Sequence, residues 1–429
     1  MAASSPFALS AEHGIRFEHV PFPVSRSLRL GNEYGMANVT QSIGIGVVGF
    51  GWMGQAHSRS YRRIPMHFPE AELMPRLVIV ADNVPERVQL ARENFGFETA
   101  TADWREVVEH PDVDVVTIGA PNKLHREIAA AAAAAGKAVF CEKPVGEAPD
   151  VTAEIEHAAR RAGVITGAGF NYRWVPLVLH LKQLIDGGRL GDLTHYRGRF
   201  FSMYGRDRLG TLSWRYLMEE AGYGVLTDIM SHTVDMALYL VGPIRRVVAT
   251  KEIIVKERPL PQPGSGTHYD RGSPGDPTGR VSNEDYVGAL VEFENGVRGT
   301  LEADRTIFGP QSQMGFEVNG SRGAAIWNLE TMNELQLYLP EESPADGYIR
   351  VLAGDGFPHH GNIVPGGGNP IGYEDLKLFE DLEFLKAVAA GREAPVTFAD
   401  ALAAAEVEAA MARSWDSGKW EDVTSMRID

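Results

Sequence analysis

The stretch from Ile43 to Gly54, IGIGVVGFGWMG, constrains the fold of this chain more than any other part of the sequence. An apolar run of strand length breaks into glycines and continues into WMGQAHSRSYRRI, which has the pattern of a helix. Glycines permit a tight turn and let backbone N–H groups approach a pyrophosphate, and the helix N-terminus adds unpaired donors and a positive dipole end. The stretch therefore predicts a strand, a dinucleotide-binding turn and a helix.

The spacing GxGxxG occurs twice here, so spacing alone does not place the turn. One match uses Gly44, Gly46 and Gly49, and the other uses Gly49, Gly51 and Gly54. The first would put the turn inside IGIGVV, which fits a strand better, whereas the second follows the strand and opens the helix. We therefore expect the second match to bind the cofactor, through Gly49, Phe50, Gly51, Trp52, Met53 and Gly54.

Composition excludes several classes of function. The chain has 429 residues, which is enough for two domains with cores of their own. A formal net charge of −16 without a Lys/Arg stripe argues against nucleic acid as a partner. No apolar run approaches the ~20 residues of a membrane span, which argues against a membrane protein. Cys141 is the only cysteine, which fits a reducing, cytoplasmic location, and we interpret it as a small buried residue rather than a reactive thiol.

Strand and helix patterns alternate from Ile43 to about residue 165. The turn is followed by RLVIVAD, VPERVQLARENFG, VDVVTIGAP, HREIAAAAAAAGKAV, KAVFCEKP and PDVTAEIEHAARRAG. Repeated βα units predict a doubly wound parallel sheet, and we place this Rossmann domain at residues 42–168. Residues 1–41 are interpreted as a tail, in which Met36 is an alternative translation start.

After Gly169 the sequence pattern changes to longer predicted strands in which apolar and polar residues alternate. Examples are THYRGRFFSMY, RRVVATKEIIV, DYVGALVEF and VRGTLEADR. They predict an α+β domain at residues 169–415 with a large, mostly antiparallel open sheet, so the fold class is α/β followed by α+β. Two helices close this domain before a tail at 416–429. The Pro/Gly-rich stretch from Glu257 to Val281 predicts a long loop, of a length found in functional covers or disordered connections.

Asp82 ends the second predicted strand, VIVAD, and Asn83 follows it. A carboxylate in this place accepts hydrogen bonds from the adenosine ribose and repels a 2′-phosphate, which favours NAD over NADP. The alternative interpretation is an aspartate that only serves a turn.

The next two predicted strands end in the polar motifs APNKLH and CEKP. Ligands of open α/β sheets bind at the carboxyl ends of the strands, so these positions are candidates for cofactor contacts. The candidates are Ala120, Pro121, Asn122, His125, Glu142 and Lys143. Asn122 as a helix N-cap, His125 as a satisfied surface histidine and Lys143 as an exposed lysine remain alternatives.

Asp228 and His232 lie four residues apart in a predicted helix that follows the glycines of GYGVLTD. The spacing puts both on one face, where an imidazole with a pKa near 6.5 can accept a hydroxyl proton beside an orienting carboxylate. A structural hydrogen bond and a metal pair are the alternatives. We find no convincing third metal ligand.

Taken in order, the motifs GFGWMG, VAD, APNxxH, EKP, GFNYRW and DxxxH resemble the Gfo/Idh/MocA family of oxidoreductases over residues 42 to 415. The insertion PMHFPEAELMP, the motif SWRY from Ser213 to Tyr216, the loop after ERPL and the motif NPIGYED look most like the levoglucosan dehydrogenase branch of that family.

The resemblance implies an enzyme that binds NAD(P) on its first domain and a sugar or cyclic polyol against the second sheet. It assigns three residues to catalysis: Lys143, Asp228, and His232 as the general base. It places Asn171 and Arg173 near the nicotinamide and the substrate. Expected substrate contacts are Lys143, Arg173, Trp214, Arg215, Asp228, His232 and Tyr373. For Trp214 and Arg215 the alternative is ordinary packing.

The function that follows is an NAD-dependent dehydrogenase that oxidises a secondary hydroxyl of a sugar, anhydrosugar or cyclitol to a ketone. One alternative is a glycosidase or epimerase of the same fold that uses bound NAD transiently. The other is a sugar sensor without catalysis. We expect a homo-oligomer, with a tetramer favoured over a dimer.

Overall fold

Six parallel strands form the first sheet of the computed structural model, which describes residues 41–261, 270–342 and 346–426. The strands are β1 (Gln41–Val48), β2 (Leu73–Ala81), β3 (Thr99–Thr101), β4 (Val115–Ile118), β5 (Ala138–Cys141) and β6 (Thr166–Ala168). Their order is β3-β2-β1-β4-β5-β6. The connecting helices are α1 (Trp52–His67), α2 (Pro85–Leu90), α3 (Trp104–Glu109), α4 (His125–Ala134) and α5 (Pro149–Ala162). The predicted doubly wound sheet is confirmed.

The pattern of β1 explains why it lies at the centre of this sheet. Ile43, Ile45 and Val47 are at most 2% exposed, as expected for a parallel strand covered on both faces. Gly44 and Gly46 lie within the strand. A Cβ at Gly44 would lie 1.7 Å from the Asp112 carbonyl oxygen, and a Cβ at Gly46 would lie 2.5 Å from a methyl carbon of Val107. These two glycines therefore serve close packing of the strand.

Nine strands form the second sheet. They are β7 (Leu193–Ser202), β8 (Ile244–Glu252), β11 (Tyr286–Phe293), β12 (Arg298–Asp304), β13 (Ser312–Gly320), β14 (Ala324–Asn328), β15 (Glu334–Tyr338), β16 (Ile349–Leu352) and β17 (Glu421–Asp422), in the order β16-β15-β14-β13-β7-β12-β11-β8-β17. Neighbours are antiparallel except β7 and β12. The helices that accompany this sheet are α6 (Pro176–Asp186), α7 (Met218–Ala221), α8 (Ser231–Val241), α9 (His360–Ile363), α10 (Tyr373–Ala390) and α11 (Phe398–Ser417). The prediction of a large, mostly antiparallel sheet is confirmed.

Two segments differ from the sequence-based expectation. The ends of the expected long loop pair as a two-stranded ribbon of β9 (Glu257–Pro259) and β10 (Thr278–Arg280), while residues 262–269 lie outside the described residues. In the expected C-terminal tail, α11 continues to Ser417, and β17 then pairs with β8 because that strand offers an unpaired edge. The expected N-terminal tail, including Met36, lies outside the described residues except for Gln41, which begins β1.

Among the described residues, no helix combines the length and the apolar character that crossing a membrane requires. The expected domain boundaries at 41/42, 168/169 and 415/416 stay predictions.

Candidate active site

The turn after β1 has the geometry of a phosphate cradle. Gly49 has a φ of +88°, and a Cβ there would lie 2.5 Å from the backbone nitrogen of Ala120, at the end of β4. A Cβ at Gly54 would lie 1.9 Å from the Gly49 carbonyl oxygen, whereas one at Gly51 would meet no atom within 4 Å. Gly49 and Gly54 thus allow close packing, and Gly51 leaves an open approach to the backbone. Helix α1 begins at Trp52 without a side-chain cap, so its first N–H groups face this opening.

Asp82 follows β2 and fixes the glycine turn from the side. Its Oδ2 accepts a hydrogen bond from the Phe50 backbone nitrogen at 2.6 Å, and its Oδ1 accepts one from Val84 at 2.9 Å. Beside it lies a cavity of about 740 Å³ that Asn83, Thr101 and residues of α2 also line. The position fits a carboxylate at the adenosine end of a bound dinucleotide.

His125 has a structural role in this fold, and its expected cofactor contact stays a prediction. It is buried at the start of α4, with its ring nitrogens 3.0 Å from the Pro144 carbonyl oxygen and 2.9 Å from that of Ala120. Burial lowers the pKa of its imidazole. His125 therefore ties the ends of β4 and β5 together, and it is not the surface histidine that we considered.

Asn122 begins a single 3₁₀ turn that precedes α4. No side-chain cap hydrogen bond is made at the start of that turn or of α4, so the N-cap interpretation of Asn122 is wrong. Pro121, beside it, is exposed. The predicted cofactor contacts of Ala120, Pro121 and Asn122 stay predictions.

Lys143 and Asp228 form the charged centre of the site. The Lys143 ammonium donates to the Asp228 carbonyl oxygen at 2.7 Å and to its Oδ1 at 3.2 Å. Tyr204 donates its hydroxyl to Asp228 Oδ2 at 2.8 Å, and Arg215 approaches the same oxygen at 3.5 Å. Although burial alone raises the pKa of Asp228, Lys143 and Arg215 hold it well below its usual range. Asp228 is therefore a carboxylate that anchors a partly exposed ammonium.

His232 is the basic group of the cluster. It is 5% exposed and packs against the rings of Tyr172, Phe170 and Phe200 at centroid distances of 4.6, 6.0 and 5.9 Å. Burial, followed by the positive charge of Lys143, lowers the pKa of His232 well below 6.5. The imidazole is therefore neutral at pH 7 and able to accept a proton.

Asp228 and His232 do not contact each other in the way that their spacing predicts. Residues 226–230 form one π-helical turn, and α8 starts after it at Ser231. In the described part of the chain, no hydrogen bond joins Asp228 to His232, because the Asp228 oxygens bind Lys143, Tyr204 and Arg215. Asp228 thus orients Lys143, and its charge is a minor influence on His232.

Tyr373 lies between the glycine turn and the cluster of Lys143, Asp228 and His232, which we name the catalytic cluster after its predicted role. Its ring stacks on the exposed Trp52 at 5.5 Å and lies 6.3 Å from Tyr172, which packs on His232. Burial raises the pKa of Tyr373 to about 12, so its hydroxyl is protonated. Nearby, Asn171 is 1% exposed, and its side chain interacts with the Tyr373 hydroxyl, although its amide nitrogen forms no hydrogen bond of normal geometry among the described residues. A buried donor that is incompletely paired fits a site that a ligand completes.

Arg173 is held by two carboxylates, one on α8 and one on α11. Its guanidinium donates to Asp235, with an Nη2–Oδ1 distance of 2.6 Å, and to Asp400 at 3.1 Å. It also lies over the ring of Tyr239 at 5.0 Å. Although burial lowers the pKa of Arg173, the two carboxylates raise it further, so the group is a buried cation that anchors α8 to α11. The expected contacts of Arg173 with the cofactor and the substrate stay predictions.

Glu142 is also held inside the protein, in a second charged cluster that sequence reasoning missed. It accepts a hydrogen bond from His57 Nε2 at 2.9 Å and from Lys377 Nζ at 2.5 Å. Lys377 also binds Glu380 at 2.9 Å, and the other ring nitrogen of His57 binds Asp381 at 2.9 Å. His57, Glu142 and Glu380 could group around a metal, but the Lys377 ammonium already occupies the position between the two glutamates. We name these five residues the buried cluster.

The remaining predicted residues lie near the site or support it. Arg215 covers the ring of Trp214 at 4.6 Å while it approaches Asp228, so both border the space beside the cluster. Cys141 is buried, and burial, with the nearby Glu142, raises the pKa of its thiol well above the usual value, as the interpretation of an unreactive residue predicts.

Two family models match the chain. The oxidoreductase family with an NAD-binding Rossmann fold matches residues 43–170, and the GFO/IDH/MocA C-terminal domain matches residues 178–326. The chain belongs to the Gfo/Idh/MocA family. The resemblance inferred from the motifs is thereby confirmed, and so is NAD as the cofactor of the first domain. The chain is an oxidoreductase.

Relatives within this family cover almost the whole chain. The levoglucosan dehydrogenase of Pseudarthrobacter phenanthrenivorans is 36% identical over 89% of this chain and 98% of its own length. An inositol 2-dehydrogenase of Rhizobium meliloti is 26% identical over 87% of this chain and 97% of its own. Among solved structures, levoglucosan dehydrogenase in complex with NADH and levoglucosan is 34% identical, with a TM-score of 0.84 over 90% of this chain and 100% of that one.

Proposed function

We propose that this chain is an NAD-dependent dehydrogenase that oxidises a secondary hydroxyl of a sugar, anhydrosugar or cyclitol to a ketone. The observation that carries the proposal is the combination of a neutral, buried imidazole at His232 with an ammonium at Lys143. A base and a charge stabiliser that interact electrostatically are the groups that oxidation of an alcohol requires.

The cradle fits NAD through the close-packed Gly49, the open Gly51 and the incompletely paired amide of Asn171. NAD, when bound, supplies the nicotinamide ring that accepts a hydride from the substrate carbon. His232 accepts the proton of the reacting hydroxyl at an imidazole nitrogen. Lys143 stabilises the negative charge that develops on the substrate oxygen, and Asp228 holds Lys143 in place.

The relatives support a polyhydroxylated ring as the substrate. Their names describe dehydrogenases of levoglucosan and of inositol, which are cyclic and carry secondary hydroxyls. Higher identity to the first favours an anhydrosugar. Tyr204, Trp214 and Arg215 offer aromatic surface and hydrogen-bond donors beside Asp228, which suits such a ring.

The test is NADH formation by the purified protein with NAD or NADP and a panel of levoglucosan, glucose, xylose, inositols and simple glycosides. We expect absorbance to rise with NAD and at least one member of the panel. A protein that retains NAD but produces no NADH with any of them would contradict the proposal and favour transient oxidation or sensing.

We also propose a homo-oligomer in the cytoplasm. The surface that a second copy would cover in this proposal is the open face of the second sheet, where Leu290 on β11 is 52% exposed. Light scattering on the purified chain distinguishes a tetramer, a dimer and a monomer.

A further inference from the structure

The β9–β10 ribbon contacts the segment of residues 204–216, which we name the site loop. The Leu212 backbone nitrogen donates to the Pro259 carbonyl oxygen at 2.7 Å, and Gly210 pairs with Arg271 beyond β9. Both ends of the site loop reach the catalytic cluster, since Tyr204 and Arg215 approach the same oxygen of Asp228. The ribbon therefore supports a loop that borders the substrate side of the cluster.

Arg258, in β9, makes the largest number of the described side-chain contacts between the ribbon and the site loop. It is fully buried, and no carboxylate of the described residues forms an ion pair with it. Its guanidinium instead donates to the backbone carbonyl oxygens of Gly205 at 2.5 Å and Asp207 at 2.8 Å, and it approaches that of Gly210 at 3.5 Å. A buried charge that forms no ion pair is costly unless other groups compensate it, and here carbonyl oxygens of the site loop accept its hydrogen bonds.

An aromatic ring couples Arg258 to the end of the site loop. The Arg258 guanidinium lies 4.0 Å from the ring centroid of Tyr216, and the Arg305 guanidinium lies 4.5 Å from it. Arg305, which is paired with Asp285 at 2.7 Å, donates to the Arg215 carbonyl oxygen at 3.2 Å. A planar cation that stacks and donates at the same time holds its neighbours in one geometry.

We propose that Arg258 is a positioning residue for substrate recognition, which fixes the site loop so that Tyr204 and Arg215 meet Asp228. This inference rests on the proposed function. Arg258 acts through the loop and touches neither the cofactor cradle nor the Lys143 ammonium in the contacts described. Its loss therefore weakens substrate binding without weakening NAD binding.

Arg258→Met tests this, with Arg271→Met as the matched control. Arg271 also reaches Asp207, but through an exposed ion pair of 2.9 Å between side chains that are 65% and 49% exposed. Arg258→Met is expected to raise the KM for levoglucosan, or for the panel sugar oxidised fastest, about tenfold, because small displacements of binding groups are costly. The KM for NAD is expected to stay within about twofold of the wild-type value. In Arg271→Met, the KM for the sugar and the KM for NAD are both expected to stay within about twofold of wild type.

Limited trypsin digestion measures the accessibility of the site loop independently of enzyme activity. Arg208 is exposed in the site loop, and its cleavage is expected to be faster in Arg258→Met than in wild type or Arg271→Met. A folded Arg258→Met with unchanged sugar KM or unchanged cleavage would overturn the inference. Loop release in a protein whose wild type oxidises no sugar would refute the proposed function and leave the anchoring role supported.

Arg258→Lys covers the case in which Arg258→Met does not fold. Lysine keeps the charge but lacks the planar fork, so a smaller rise in sugar KM is expected. Combined with Tyr204→Phe, its effect should be less than additive, because both changes disturb one contact with Asp228. Strict additivity of the two changes would contradict positioning through Tyr204.

Discussion

His57 and His232 are buried almost equally, at 0% and 5% exposed, yet their surroundings make His57 a cation and leave His232 neutral at pH 7. Asp381 and Glu142 flank His57 and, against the effect of burial, raise its pKa to about 9. His232 packs on aromatic rings, and burial followed by Lys143 lowers its pKa. Burial alone therefore does not decide protonation, because the charges in direct contact outweigh it at His57.

Lys377 and Lys143 also differ in the charged groups that surround them. Lys377 is fully buried between Glu142 and Glu380, and these carboxylates raise its pKa well above the usual value despite burial. Lys143 has a single carboxylate partner and keeps 17% of its side chain exposed. The buried cluster therefore finds its partners inside the protein, apart from Glu380 Oε1, which has none among the described residues, whereas the Lys143 ammonium stays partly exposed.

The largest effect is expected from His232→Ala. Loss of the base should lower kcat about a thousandfold, the range for general-base catalysis, while the Kd for NAD changes little. Steady-state rates and NADH fluorescence titration measure the two quantities. A variant with wild-type turnover would remove His232 from the mechanism.

His57→Asn should act on stability instead of chemistry. With a folded pKa near 9 against an ordinary 6.5, His57 contributes roughly 3 kcal/mol that is fully present below pH 6.5 and lost as the pH rises through 9. The variant is therefore less stable near neutral pH, and its stability falls less steeply with pH than that of wild type. Denaturant unfolding between these pH values measures the difference. Parallel curves for the two proteins would show that His57 is not a cation.

The smallest effect is expected at Asp82, which lies outside both clusters. Asp82→Asn removes the charge but keeps an acceptor for the Phe50 nitrogen, and it should shift preference toward NADP about tenfold. Asp82→Ala, which also loses that hydrogen bond, should weaken binding of both nucleotides. The ratio of kcat/KM for NAD and NADP is the measurement, and an unchanged ratio in Asp82→Asn would contradict the ribose contact.

The sequence alone predicted the position of the site residues that directly follow parallel strands. The glycine turn, Asp82 and Lys143 follow parallel strands, whose carboxyl ends meet at one edge of a sheet, so sequence order predicts their place. Asp228 and His232 were found as a pair, but the Asp228 carboxylate binds Lys143, Tyr204 and Arg215, and no hydrogen bond joins it to His232 among the described residues.

The contacts that the sequence could not predict join distant positions. Arg173 binds Asp400, and Glu142 binds Lys377, across more than two hundred residues, and no local pattern marks such partners. A signal existed for His57, which stands three residues after Gly54 on the buried face of α1, and for Lys377, a charge in the apolar run of α10. Charged residues at core positions of predicted helices are thus the feature to search for.

The pH dependence of kcat/KM for sugar oxidation tests the central claim most directly, because it reports the protonation of the free enzyme. A neutral His232 predicts a rate that does not fall between about pH 8 and about pH 6.5, with the acid limb below that range. An acid limb centred at about pH 7 or higher, and absent from the residual activity of His232→Ala, would contradict the neutral imidazole at pH 7. An acid limb that persists unchanged in the residual activity of His232→Ala would contradict the role of His232 as the base.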